Sequence, residues 1–303
     1  MLEESNGPVR TTALKMLGKL EPATLARYAD DIVARLEDSE ECVRSAVLET
    51  LGKLEPATLA LHADVVVSRL EDSDEWVRLK ALQTMGKLEP ATLAQRAHKV
   101  VARLEDSDGL VRETALETLA RLDPVTLAKY ANNVVAVLEG AEIDDDEFAY
   151  DTNPCTAALE TLARLDPATL AQHAGAVVAK LEHLYPAVRE TALKTLARLD
   201  PAALAKHANA VVAMLEDDEE SVRALVLETL RKLNPATLEP HAGTLVALLE
   251  DFDWRVRREA LNTLGKLEPA TLAQYADALI ATLADNDEDV RDAAFKTLGK
   301  LEP

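Results

Sequence analysis

Aromatic residues are scarce in this sequence, at 3% of its 303 residues, although apolar residues make up 48%. A core of that composition must be built from Ala, Leu and Val, whose small side chains favour closely packed helices. Long apolar runs are also missing, since no stretch of about 18 residues is apolar enough to cross a membrane. The opening MLEESNGPVR lacks the basic and apolar regions of a signal peptide. We therefore expect a soluble, cytoplasmic protein.

Cationic residues are few as well, because 33 Lys and Arg stand against 54 Asp and Glu, which gives a net charge of -21. Without a basic stripe to offset it, this charge repels nucleic acid phosphates and anionic lipid, and it favours a partner with a basic surface. Only two cysteines occur, Cys42 and Cys155. They lie in different copies of the repeat described next, so we expect no internal disulfide and a reducing compartment.

What the sequence has instead is repetition. The phrase KLEPATLA is written four times, at Lys19, Lys53, Lys87 and Lys266. The pair Val-Arg recurs in steps of 34 residues within two groups, which begin at Val9 and Val188. The 77 residues from Val111 to Val188 are two periods plus nine, which places an irregular insertion at about 140–153. A fixed period of this length is typical of a repeat architecture.

Each period contains two helical patterns and no strand-like alternation. The first, PATLARYADDIVARLED (22–38), begins with Pro22, which suits a helix start because no amide hydrogen needs a partner there. The second, VRSAVLETLGKL (43–54), has apolar residues at helical spacing: Val43, Val47, Leu48, Leu51 and Leu54. Three serines with acidic followers are expected to cap this second helix: Ser39, Ser73 and Ser107. The patterns predict an all-α array of helix pairs.

The segment LADNDEDVRDAAFKTLGKL (283–301) resembles the second half of a HEAT repeat, of the subtype grouped with phycobilisome lyases. The resemblance covers essentially the whole chain and implies a right-handed α-solenoid of 34-residue HEAT-like helix pairs. It also implies a ladder in which an Asp of each turn meets an Arg of a second helix. The matching aspartates are Asp38, Asp72, Asp106, Asp217, Asp251 and Asp285. The matching arginines are Arg44, Arg78, Arg112, Arg189, Arg223, Arg257 and Arg291.

We predict that residues 1–303 form one solenoid domain, in which a leading second helix at 8–20 is followed by eight helix pairs. The sequence begins in the last turn of a first helix and ends at KLEP, where another first helix would begin. Neither end carries the polar cap that solenoids normally need. These features suggest either a fragment of a longer array or end-to-end self-association through the uncapped terminal repeats.

Four positions of the second helix differ from repeat to repeat: the residue before the Val of Val-Arg, and the third, fourth and seventh residues counted from that Val. Their spacing places them on one side of the helix, the second-helix stripe. In a HEAT-like stack the second helices line the concave face, so the stripe is either a groove that binds a peptide or protein, or a solvated face whose residues drift. Exposed Trp and Leu would be costly on a solvated face, which favours the groove. The candidate binding residues are Trp76, Leu79, Lys80, Gln83, Leu110, Glu113, Leu225, Glu228, Arg255, Arg258, Glu259 and Asn262.

One position of the first helix invites a metal-site hypothesis, because four repeats have histidine there: His62, His173, His207 and His241. Other repeats replace it with Tyr28, Tyr130, Tyr275 or Arg96. A column of metal ligands would not tolerate these replacements, so we favour a structural role and predict no metal or other cofactor.

The insertion GAEIDDDEFAYDTN (140–153) is the least repetitive stretch, and it coincides with losses from the ladder. Gly140 replaces an Asp, Pro154 and Cys155 replace Val-Arg, and His183 stands where the next Asp is expected. Two hypotheses stay open: an acidic protrusion or hinge that contacts a basic partner or a divalent ion, and a tolerated surface loop. The acidic run lacks the Gly and terminal Glu of an EF-hand loop, which favours a loop or hinge over calcium. The residues concerned are Asp144, Asp145, Asp146, Glu147, Phe148 and Tyr150.

The sequence contains no recognisable catalytic set, neither a Gly-rich phosphate loop nor a Ser-His-Asp combination. It lacks the His-Glu pairs that the HEAT-like di-iron hydroxylase of hypusine formation requires, and its charge argues against the basic cleft of HEAT-like DNA glycosylases. We therefore predict a non-enzymatic scaffold that binds a peptide or protein on the concave face. The alternatives are a phycobilin-lyase-like or chaperone-like helper acting on a cofactor-bearing protein, and a designed or fragment array without a native ligand.

Overall fold

The computed structural model describes residues 6–140 and 154–301, and these residues form α-helices and 3-10 turns but no β-strand. The chain divides into two compact units, residues 1–165 and 166–303. Within each unit two kinds of helical segment alternate along the sequence, as the patterns predict. Each unit is therefore an all-α stack of helix pairs, which is the arrangement of a helical solenoid.

The second helices form a continuous layer in each unit, because every one packs against the next. In the helix at 41–51 the predicted apolar face is buried, and Val43, Val47, Leu48 and Leu51 are inaccessible to solvent. The second helices of the first unit are Gly7–Leu17, Glu41–Leu51, Glu75–Met85, Gly109–Leu119 and Pro154–Leu162. Those of the second unit are Pro186–Leu196, Glu220–Leu230, Trp254–Leu264 and Glu288–Leu298.

The first-helix segment is not one continuous helix, although its buried residues keep helical spacing throughout. Near its middle one residue leaves the helical conformation, with φ -108° and ψ 10° at His62 and φ -114° and ψ 2° at Arg96. This residue lies in the sparsely populated bridge region of backbone conformation. The bend falls at the position that the four histidines share, and Leu59 before it and Val66 after it are both buried.

The bend divides each first-helix segment into two short helices. In the first unit these are Pro22–Leu25 with Ala29–Val33, Pro56–Leu61 with Ala63–Ser68, Pro90–Ala94 with Ala97–Val101, and Pro124–Ala128 with Ala131–Gly140. In the second unit they are Pro167–Gln172 with Ala174–Ala179, Pro201–Ala205 with Ala208–Ala213, Pro235–Leu238 with Ala242–Ala247, and Pro269–Leu272 with Ala276–Ala281. The 3-10 segments are Ala26–Tyr28, Ala34–Glu37, Arg69–Glu71, Ala102–Glu105, Lys180–Glu182, Met214–Glu216, Glu239–His241, Leu248–Glu250, Ala273–Tyr275 and Thr282–Ala284.

Proline and acidic side chains mark the helix starts. Pro22 and its counterparts occupy the first turn of their segments, as predicted. At the second helix the carboxylate of Asp74 accepts a hydrogen bond from the amide of Val77 at 3.0 Å. The same cap is made by Asp108, Asp253 and Asp287. Of the predicted Ser-acid pairs, the acidic followers Asp74 and Asp108 make the cap, whereas Ser73 and Ser107 lie one residue before the capping position.

Bidentate ion pairs join consecutive repeats. Arg78 donates from Nε and Nη2 to the two carboxylate oxygens of Asp106, at 2.8 and 2.7 Å. Its Nη1 donates to the backbone carbonyl oxygens of Asp72 and Ser73 in its own turn, at 3.0 and 3.2 Å. Both side chains of the pair are nearly buried, with exposed fractions of 11% and 3%. The equivalent pairs are Arg10 with Asp38 and Arg44 with Asp72 in the first unit, and Arg189 with Asp217, Arg223 with Asp251 and Arg257 with Asp285 in the second.

The ladder also shifts the pKa of its carboxylates. Hydrogen bonding from Arg10 lowers the pKa of Asp38, and hydrogen bonding from Arg257 lowers the pKa of Asp285. Because these folded-state pKa values lie below those of the unfolded chain, the pairs stabilise the fold fully above the ordinary carboxyl pKa. Their contribution is lost as the pH falls through the folded-state pKa.

Two further contacts tie the second helices together near their C-terminal ends. The hydroxyl of Thr84 contacts the carbonyl oxygen of Lys80 on its own helix at 2.7 Å and that of Leu48 on the preceding second helix at 2.9 Å. The same contact with the preceding helix is made by Thr50, Thr118, Thr161, Thr263 and Thr297. In the second unit, lysines donate to the last carbonyls of the preceding second helix, which have no partner inside that helix. These lysines are Lys232, Lys266 and Lys300.

One rung of the ladder is incomplete in the first unit. Arg112 keeps its hydrogen bonds to the carbonyl oxygens of Asp106 and Ser107, at 2.8 and 3.1 Å. Gly140 occupies the position of the missing carboxylate, and no carboxylate of residues 6–140 or 154–301 pairs with Arg112. Arg78 and Arg112 therefore share their backbone contacts and differ in the bidentate Asp.

This difference allows the contribution of the ladder to the free energy of unfolding to be measured. We expect Arg78→Met to lower the free energy of unfolding more than Arg112→Met does, by about 2–3 kcal/mol, because only the former removes the bidentate partner of a buried carboxylate. Urea unfolding of both variants beside the parent protein measures the difference. Equal losses would mean that the carboxylate pair adds nothing to stability beyond the contacts that the Arg makes within its own turn.

His183 takes the place of a ladder Asp in the second unit and reproduces one of its contacts. Its Nδ1 accepts a hydrogen bond from the amide of Tyr185 at 3.2 Å, as the ladder aspartates accept from the amide two residues further on. Burial, together with the charges of Lys180 and Arg189, lowers the pKa of His183. Only a neutral imidazole has a nitrogen that can accept this bond.

The lowered pKa predicts a loss of stability in mild acid. Because the folded state disfavours protonation of His183, its contribution is complete above the ordinary His pKa of about 6.5 and is lost as the pH falls below that value. We expect His183→Asn, which keeps an acceptor but does not titrate, to flatten the dependence of the unfolding free energy on pH in this range. Urea unfolding at a series of pH values measures it. An unchanged slope in the variant would assign the pH dependence to other groups.

Candidate functional site

The second-helix stripe of the first unit contains an apolar patch formed by Trp76, Leu79 and Leu110. Trp76 and Leu110 occupy the same position on consecutive second helices, which pack against each other. Trp76 and Leu110 are 54% and 37% exposed, whereas Leu79, three residues after Trp76 on the same helix, is 7% exposed. The patch therefore offers two accessible apolar residues and one that is buried.

Polar residues border this patch on the helix at 75–85. Lys80 is half-buried, and its Nζ donates to Oε1 of Gln83 at 3.0 Å. Gln83 itself is exposed. Both predicted residues therefore lie at the surface, where they interact with each other.

Three carboxylates lie beside the patch on the next two second helices. Burial raises the pKa of Glu113, and the negative charges of Glu117 and Glu160 raise it further. None of the three forms an ion pair with a Lys, Arg or His of the described residues. This part of the stripe is thus a concentration of negative charge that no ion pair within the described residues neutralises.

The raised pKa has a consequence for stability. Because the folded state disfavours ionised Glu113, stability contributed by this group falls as the pH rises through its folded-state pKa, and at neutral pH the charge is destabilising. We expect Glu113→Gln to raise the melting temperature at pH 7 and not at pH 4. The control is Glu190→Gln at the equivalent position of the second unit, where the carboxylate accepts hydrogen bonds from Ser221 and Lys194. That substitution should lower the melting temperature, and a lower value for Glu113→Gln as well would contradict the repulsion.

In the second unit the stripe is charged, and its charges neutralise one another. Glu259 is 5% exposed, and its carboxylate lies 2.9 Å from Arg231, 3.0 Å from Arg258 and 3.4 Å from the amide of Asn262. The guanidinium of Arg258 also lies over the ring of Trp254, 5.0 Å from its centroid. Such a network holds its members in place within the unit.

Among the other predicted residues of the second unit, Arg255 is also paired. Arg255 pairs with Asp253 at 2.9 Å and lies 3.6 Å from a carboxylate oxygen of Glu220. Leu225 is half-buried, and Glu228 is exposed. Exposed apolar area on the predicted stripe residues is therefore concentrated in the first unit.

Several residues of these two regions were not selected from the sequence. Glu117 and Glu160 occupy the seventh position counted from the Val of Val-Arg or its counterpart, which is one of the four stripe positions. The repeat register therefore contains the signal that identifies them. Arg231 directly follows a second helix, at a position where the other repeats have Gly or Ala. This change to a charged residue is the feature of the sequence that distinguishes Arg231. Trp254 lies outside the four stripe positions, and its contact with Arg258 has no signature in the repeat pattern.

The remaining sequence hypotheses concern the histidines and the insertion. His62, His173 and His207 are half-buried at the bends of the first-helix segments. No group of three or more His, Cys, Asp or Glu in 6–140 and 154–301 is placed to hold a metal ion. The insertion residues selected from the sequence, from Asp144 to Tyr150, lie outside the described residues. Within the part of the chain that is described, no helix has the length and apolar character needed to cross a membrane.

The helix pairs, their ladder and the stacked second helices define a class of helical repeat proteins that are typically non-catalytic scaffolds. The family is identified by comparison, since the model of the Adaptin N terminal region matches residues 2–302. The chain belongs to this family of HEAT/ARM-like helical repeats, which confirms the HEAT resemblance.

Solved structures support the same fold. An engineered protein whose crystal structure comes from the Northeast Structural Genomics Consortium is similar, with a TM-score of 0.64 and 17% sequence identity over 99% of this chain and 86% of that chain. At this identity the similarity concerns the fold alone. Because 417 chains match in this way, the fold does not single out one function. No curated protein matches the sequence.

Proposed function

We propose that this chain is a non-enzymatic scaffold that binds a protein or peptide through its second-helix stripe. The family supports this proposal, because helical repeats of this kind typically mediate protein interactions. The net charge of -21 disfavours nucleic acid as the partner, since phosphates would be repelled.

The observation that carries the proposal is the exposure of Trp76 and Leu110 side by side on consecutive second helices. A large exposed aromatic side chain beside a second exposed apolar residue, with polar residues around them, is a typical centre of a protein interface. In a HEAT-like stack this side of the repeat faces the concave surface, where a bound segment can contact several repeats at once.

The second unit supports the assignment by contrast. Its stripe residues Arg255, Arg258 and Glu259 already have partners within the unit. A ligand that bound them would have to replace these contacts. We therefore place the main contact surface on the first unit and assign a mainly structural role to the charged network of the second.

Site-specific crosslinking tests the proposal. A photoreactive amino acid is placed at Leu110, and as a matched control at Val125, which is 75% exposed on a first-helix segment of the same unit. We expect irradiation in a lysate of the source organism to give a discrete protein adduct from position 110 that is absent from position 125. The adduct should be lost when Trp76→Ala is added. Adducts of equal yield from both positions, or none from position 110, would reject the stripe as the interaction site.

A further inference from the structure

We propose that the apolar patch and the carboxylates of Glu113, Glu117 and Glu160 form one docking surface for a protein segment that carries an apolar side chain flanked by Lys or Arg. This inference rests on the proposed function and adds the chemistry of the partner. It also assigns the contact to one part of the chain, the second helices at 75–85, 109–119 and 154–162.

The sequence register places these groups beside one another. Leu110, Glu113 and Glu117 follow at intervals of three and four residues, so they lie along one side of the same helix. Trp76 holds the position of Leu110 on the preceding helix, and Glu160 holds the position of Glu117 on the following one. The three helices pack in sequence, so the apolar and acidic groups form a continuous strip.

Glu113 lacks the partners that its equivalent in the second unit, Glu190, has. Glu190 accepts from Ser221 at 2.7 Å and lies 3.3 Å from Lys194. Glu113 is half-buried among like charges, and partial burial together with the charges of Glu117 and Glu160 raises its pKa. A cationic side chain at this place would relieve the repulsion, whereas an acidic one would increase it.

The apolar part of the strip favours a protein segment over a free ion. A metal ion requires several oxygen ligands that converge on one point, and among the described residues no such group of three occurs. A free ion would also leave Trp76 and Leu110 exposed to water. A segment with Leu, Met or Phe between basic residues would cover both side chains and meet the carboxylates with its charges.

The test uses Trp76 as a reporter. The sequence has two tryptophans, so a Trp254→Phe background leaves Trp76 as the single source of tryptophan fluorescence. The probe is a synthetic peptide of alternating Arg and Leu, and the matched probe has Glu in place of each Arg. We expect the Arg-Leu peptide to shift the emission of Trp76 and the Glu-Leu peptide to leave it unchanged. Binding should weaken as salt is raised, because screening acts on exposed charges.

Charge-matched variants separate a specific site from the overall acidity of the chain. The test variant combines Glu113→Gln, Glu117→Gln and Glu160→Gln. The control removes the same charge from exposed positions of the second unit that lie outside the stripe, with Glu216→Gln, Glu250→Gln and Glu288→Gln. Three surface charges should change the affinity by about tenfold in the test variant. The control should change it by less than about twofold, because its charges lie away from the strip.

The outcomes have distinct meanings. Equal weakening of binding in both triple variants would mean that the attraction depends only on the net charge of the chain. That result would overturn the inference. Equal binding of the Glu-Leu peptide, or no binding of the Arg-Leu peptide, would overturn it as well. In each of these cases an adduct from position 110 would leave the proposed function intact. Since removing like charges does not disrupt a helix contact, melting curves of the test variant should match or exceed those of the parent protein, which separates loss of binding from loss of fold.

Discussion

The bidentate pair between an Arg of one repeat and the Asp of the next is the interaction on which the other contacts of each unit depend. A charge pair that is nearly buried stabilises a protein only when its remaining donors and acceptors are also satisfied. Arg78 meets this condition, because two of its nitrogens reach Asp106 and the third bonds carbonyl oxygens of its own turn. The Asp in turn accepts a backbone amide two residues on, which fixes the entry into the next second helix. One side chain thus determines the shape of a turn and the spacing between repeats.

Much of this architecture follows from the sequence. The period of 34 residues, the apolar spacing and the paired Val-Arg and Asp positions predict helix pairs, and the structure has them. The bend in the first-helix segment could not be predicted, because apolar residues keep the same spacing on both sides of it. The sequence offers both Ser73 and its follower Asp74 as the cap of the second helix, because both residue types are good caps, and the structure shows that Asp74 makes it. Thr84 looks like an ordinary helical residue, since its second acceptor belongs to another repeat.

The candidate site shows a different limit of sequence reasoning. The four stripe positions follow from helical geometry, but their surroundings depend on side chains one repeat away. Glu259 is paired with Arg231 of the preceding repeat, and Arg255 lies near Glu220 of the preceding second helix. The negative charge around Glu113 has the same origin, because Glu160 reaches it from the following second helix. The sequence therefore predicts which side of a helix a residue occupies, whereas the balance of charge across three neighbouring helices can be determined only from the structure.

The contacts between repeats also determine which changes of length the chain can accept. Each 34-residue block contains an Asp for the preceding block and an Arg for the following one, and its Thr faces the preceding helix. Copying or deleting a whole block therefore leaves every interface complementary, which is consistent with a phrase as constant as KLEPATLA. An insertion or deletion of any other length shifts the Asp, Arg and Thr of one repeat out of register with their partners in the next. At the one place where the spacing is 43 residues instead of 34, Gly140 takes the register position of the Asp that would pair with Arg112. The repeat itself is thus the unit by which this chain can change length without losing a contact, and the 43-residue spacing departs from that unit.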